Sequence, residues 1–112
     1  MMQEHIGQLE EFTGRTDEEL LVLSQERPEV FSYLVDRYQD AFLRKGKHIL
    51  QNPEEAEDAV QETFVKIYTK AHLFRKMEGA SFKSWAYRVF LNECFTLYRK
   101  LNKDRSAIAR LD

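Results

Sequence analysis

Apolar residues recur along this chain every three to four positions rather than in strict alternation, a period that predicts helices throughout. The first start signal is Thr16 with Glu19 three residues later, a capping box ahead of Leu20, Leu21 and Leu23. That helix is short and ends before Pro28, whose missing N–H suits the first turn of a second helix. Phe31, Leu34, Val35, Tyr38, Phe42 and Ile49 then form one apolar stripe over about five turns, with Gly46 as a loosening point inside it. Asn52 as N-cap, Pro53 at the first helical position and Glu55 three residues after the cap open a third helix. Its inward stripe is Ala56, Ala59 or Val60, Phe64 or Thr63, Ile67 and Ala71. Between His72 and Ser81 the period fails, and Glu78-Gly79-Ala80-Ser81 reads as a loop; Ser81 then caps a fourth helix that runs to about Leu101. The expected fold is all-α, a compact bundle of about four helices. Residues 1–15 form a polar arm or partial helical turn, residues 16–101 the domain, and residues 102–112 either a helical extension or the start of a linker or C-terminal tail.

The fourth helix carries more apolar residues than one core stripe requires. Trp85, Val89, Phe82 and Ala86 can face inward, while Tyr87, Leu91, Phe95 and Tyr98 form a second row interleaved with Lys83, Arg88, Arg99 and Lys100. Two readings stay open: both rows are core because the helix is central, or one row meets single-stranded nucleic acid. In the second case rings stack on bases for roughly 1–3 kcal/mol each while the cations track phosphates. On the third helix Glu54, Glu55, Asp58, Gln61 and Glu62 make a mostly anionic face. The early acids suit the helix dipole, but Asp58 and Glu62 are a like-charge i, i+4 pair, a hint that a basic partner belongs there.

Charge sharpens that division. Residues 1–64 hold six Lys/Arg and fifteen Asp/Glu, a net −9, and residues 65–112 hold eleven and four, a net +7. The overall charge of −2 hides a basic half able to leave an electrostatic footprint on nucleic acid. At 112 residues one core is expected. Cys94 is the only cysteine, so no intramolecular disulfide and no CxxC metal knuckle can form, and mid-helix burial is its expected place. His5, His48 and His72 are far apart and none follows a glutamate at Glu-x-x-His spacing. With no Gly-rich phosphate loop and no convergent acid, base or nucleophile, the expectation is a non-enzyme without metal or cofactor. The first residues lack a basic-then-apolar leader, and no window approaches the roughly 20 apolar residues of a membrane span, so the cytoplasm is the expected location.

The ordered set Asp17-Glu18-Glu19-Leu20, Phe31-x-x-Leu34-x-x-x-Tyr38, Ala56 to Phe64, Ser81-Phe82-Lys83-Ser84-Trp85 and Asn92 before Arg99-Lys100 resembles region 2 of bacterial RNA polymerase sigma factors, specifically the extracytoplasmic-function group. The resemblance spans about residues 16–101 and implies a transcription initiation factor. It implies that the second and third helices dock on the clamp helices of the polymerase beta-prime subunit, with Asp58, Gln61 and Glu62 in the contact motif. It implies further that the fourth helix and the loop before it capture the non-template strand of the minus-ten promoter element, with a base flipped into a pocket. The DNA-binding residues on this basis are Phe74, Arg75, Lys76, Ser81, Lys83, Trp85, Arg88, Asn92, Arg99 and Lys100. An anti-sigma protein is a further implied partner. The chain departs from the family pattern at Ala86, Phe90, Leu91 and Thr96, and the apolar Phe90 and Leu91 favour an alternative, a sigma-derived interaction module without promoter-opening activity. The family's second helical domain, which reads the minus-thirty-five element, is not recognisable in these 112 residues.

Overall fold

The computed structural model describes residues 12–74 and 79–111, and the described residues are helical almost throughout, with no strand among them. The capping box forms as the spacing predicts: the Thr16 hydroxyl accepts from the Glu19 N–H, and the Glu19 carboxylate accepts from the Thr16 N–H, opening α1, Asp17–Glu26. Pro28 opens a single 3-10 turn, Pro28–Val30, rather than the α-helix itself, and α2 then runs Phe31–Leu50. Gln51 ends α2 in the left-handed conformation, φ 54°, donating its N–H to the Lys47 carbonyl. Asn52 Oδ1 accepts from the N–H groups of Glu54 and Glu55 at the start of α3, Pro53–Thr69, a cap of about 1 kcal/mol. A short helix α4, Ala71–Phe74, follows, and α5 is a 30-residue helix, Phe82–Leu111.

α3 is the middle of the bundle, packed against α2 on one side and α5 on the other. Both members of each alternative pair in its stripe are buried: Ala59 with Val60, and Thr63 with Phe64. Thr63 manages this because its hydroxyl donates to the Ala59 carbonyl at 2.6 Å, leaving no polar atom unpaired. Gly46 has a different role from the expected weak point. It is buried, and a Cβ placed on it would lie 3.3 Å from the Ala56 Cβ, so glycine is what lets α2 approach α3 this closely. Beside that crossing Phe42 and Phe90 stack face to face, 4.5 Å apart and within 4° of parallel.

Of the two forms expected at each end of the chain, the described residues take the helical one. α5 does not stop near Leu101; its helical period continues for ten more residues, whose side chains are exposed. At the other end, residues 12 and 13 form a partial helical turn, and Phe12 is buried against Tyr33 with ring centres 5.1 Å apart. The rest of the expected arm, residues 1–11, lies outside the described residues. None of the described helices is long and apolar enough to cross a membrane.

Candidate nucleic-acid and partner interface

The outer face of α3 is acidic because its stripe of small and apolar residues is fully spent on α2 and α5. Asp58, Gln61 and Glu62 all point away from the core and are exposed, and none has a hydrogen-bond or ion-pair partner among the described residues. Val65, one turn further on, is 53 % exposed and extends the face with an apolar patch. Lys66, four residues after Glu62, turns away and pairs with Glu93 of α5. Gln39 and Leu43 of α2 with Glu57, Val60 and Gln61 of α3 line a shallow groove of about 170 Å³ along the edge of this face.

α5 divides lengthwise. Phe82, Ala86, Phe90 and Cys94 face the core, and Arg88, Asn92, Phe95 and Arg99 recur at i, i+4, i+7 and i+11 on the opposite, exposed side. Phe95 keeps 47 % of its surface in solvent between Asn92 and Arg99. The second aromatic row therefore splits, since Tyr87 packs edge-on against Phe42 at 5.0 Å while Phe95 and Tyr98 stay exposed. Between α3 and α5 runs a second groove of about 140 Å³, lined by Lys66, Lys70, Val89, Asn92, Glu93 and Thr96. Burial, with the Glu93 carboxylate adding to it, pushes the Cys94 thiol up to about 11, so it stays protonated and is no nucleophile at neutral pH. Among the described residues no group of His, Cys, Asp and Glu could hold a metal ion.

Residues 34–104, which contain the acidic face and the exposed row of α5, match the sigma-70 region 2 family. The chain belongs to that family. It is also 32 % identical over 76 residues to the ECF RNA polymerase sigma factor SigW of Bacillus subtilis (strain 168), a stretch that is 68 % of this chain and 40 % of the relative. The chain thus matches well under half the length of that curated relative. No solved structure matches it. Both results agree with a region 2 domain of the extracytoplasmic-function group, and so with a sigma factor domain of transcription initiation.

Within this region 2 domain the sequence-derived DNA residues separate by exposure and position. Arg88, Asn92 and Arg99 share one exposed row; Lys83 and Lys100 are exposed but fall outside it by helical spacing; Ser81 precedes α5 and accepts from the Ser84 N–H at 3.1 Å. Phe74 and Trp85 are 7 % and 8 % exposed and pack on each other at 5.2 Å, so their rings build the floor behind the surface instead of presenting a stacking face. Arg75 and Lys76 lie outside the described residues. Of the departures from the family pattern, Ala86 and Phe90 are fully buried, and Phe90 is spent on its stack with Phe42, so it does not make the surface greasier; Leu91 is half-buried and Thr96 exposed. Lys66 and Lys70 line the groove beside this row and are absent from the sequence-derived set, whereas Phe95 belongs to the second aromatic row read from the sequence. The i, i+4 spacing of the two lysines was the available signal.

Proposed function

We propose that the domain binds core RNA polymerase through the acidic face of α3 and captures the single-stranded non-template minus-ten element along the exposed face of α5. The observation that carries the reading is that Asp58 and Glu62, four residues apart on a family-matched helix, have no cation drawn to them among the described residues. Like charges held together without an internal partner are tolerated at low cost when a basic surface supplies the missing charge. The beta-prime clamp helices are the partner this reading assigns to Asp58, Gln61 and Glu62. Val65 and the groove beside Gln39 and Leu43 offer apolar area next to the charges, the arrangement of a core contact with a polar rim.

On the other face Arg88 and Arg99, with Lys83 and Lys100, hold phosphates, Asn92 reads a base edge, and Phe95 stacks on a base; the reading also assigns phosphate contacts to Arg75 and Lys76, which lie outside the described residues. The reaction assisted is strand separation, and the domain contributes binding alone: a strand held single by these contacts cannot re-pair. Asp58→Lys with Glu62→Lys should weaken binding to a beta-prime clamp-helix fragment at least tenfold while leaving the melting temperature within about 2 °C. Undiminished affinity in that double variant would remove the interface assignment.

A further inference from the structure

The start of α5 is fixed by a side chain from the other end of the chain. The Glu18 carboxylate of α1 accepts the Phe82 N–H at 2.9 Å, across 64 residues of sequence. Helix N-termini leave N–H groups unpaired; the Ser81 hydroxyl takes the Ser84 N–H and the Ser81 carbonyl the Trp85 N–H, and neither serves the Phe82 N–H. Glu18 therefore supplies a second cap from outside the helix. It works from an anchored frame: next to it Asp17 accepts from Arg37 Nη1 at 2.8 Å and from the Tyr38 hydroxyl, and Leu20 and Leu21 are wholly buried. Arg37 Nη2 also donates to the carbonyls of Thr13 and Arg15 at 3.0 and 2.8 Å, so α1 is tied to α2 at several points. The family match begins at residue 34 and does not include α1.

We infer that Glu18 is a positioning residue for the DNA face: by capping Phe82 it fixes where α5 begins and hence the rotational setting of Arg88, Asn92 and Arg99. This rests on the proposed strand path along α5. The geometry also separates reach from charge. A glutamine keeps the acceptor oxygen at the same distance and loses the charge; an aspartate keeps the charge and falls one methylene short. If the hydrogen bond positions the helix, Glu18→Gln behaves as the parent and Glu18→Asp does not. If only the charge at the helix terminus matters, the order reverses.

The test compares the parent chain, Glu18→Gln, Glu18→Asp and Glu18→Ala in binding a fluorescent single-stranded minus-ten oligonucleotide, well below every variant's melting temperature, alongside amide exchange at Phe82. The expected result is faster Phe82 exchange and roughly three- to tenfold weaker binding for Asp and Ala, with Gln within twofold of the parent. Should Glu18→Ala not fold, the Gln and Asp variants decide alone. Faster exchange with unaltered affinity would overturn the inference while leaving the strand path standing; a parent chain that does not bind the oligonucleotide would overturn both. Binding that follows charge instead of reach would also overturn it.

Discussion

A buried thiol and a buried glycine show how much single residues carry here. Cys94 is fully buried beside Glu93, and its ionisation is pushed from an ordinary 9.0 up to about 11, first by burial and then by the neighbouring carboxylate. Because the folded value lies above the unfolded one, the stabilisation is complete below pH 9 and is lost as pH rises through 11, by at most about 1.4 kcal/mol per pH unit. Tyr38 acts in the same direction at higher pH, its hydroxyl held protonated chiefly by burial and then by its bond to Asp17. Urea unfolding at pH 7, 9, 10 and 11 should therefore show stability falling above pH 9, and Cys94→Ala should flatten the segment between 9 and 11 despite a lower plateau from its small cavity. An equally steep fall in that variant would refute the assignment. Gly46 is the opposite kind of residue, valuable for what it lacks: from sequence it interrupts a stripe, and only the 3.3 Å approach of Ala56 reveals it as the crossing point of α2 and α3.

Helix starts are the elements that sequence states most plainly, because a cap is a local contract between a side chain and N–H groups two or three residues away. Thr16 with Glu19, and Asn52 with Pro53, form as their spacing dictates, and the α3 stripe is buried throughout. Helix ends are less legible. Gln51 closes α2 at φ 54° without the glycine that usually marks such a position, and α5 passes Leu101 because nothing in residues 102–111 breaks a helix. The proposed DNA face was partly legible for the same reason: the cation spacing on α5 is local, whereas the burial of Phe74 and Trp85 against each other depends on where α4 lands. Gln51 gives the element-scale prediction. A non-glycine residue held in the left-handed region pays a steric cost that glycine avoids, and its exposed side chain makes no hydrogen bond among the described residues. Gln51→Gly should raise the unfolding free energy by about 0.5–1 kcal/mol in a denaturant titration, and a loss of stability would show that the side chain contributes packing that outweighs the strain.

Across the whole molecule the division of charge becomes a division between two faces only because α3 stands between two neighbours. Its stripe is used on both flanks, so its acids are left facing outward, while α5 lies beyond it with its cations turned to the far side. The Lys66–Glu93 pair sits at the seam, in the groove beside Asn92, and removes one cation from the proposed strand path. A single strand bound along α5 releases about 0.7 counterion per phosphate contact, so each cation in the path adds about that much to the slope of log affinity against log salt. Arg88→Ala, Arg99→Ala and Lys100→Ala should each lower the slope by about 0.7, and Asn92→Ala should leave it unchanged while altering base preference within the oligonucleotide. Glu93→Gln releases Lys66 toward the strand and should raise the slope by about the same 0.7, a gain of affinity at low salt from removing a side chain that touches no DNA. Titrations between 50 and 300 mM salt measure all five slopes. A Glu93→Gln slope equal to the parent's would place the strand away from the α3–α5 groove and confine it to the outer row of Arg88, Phe95 and Arg99.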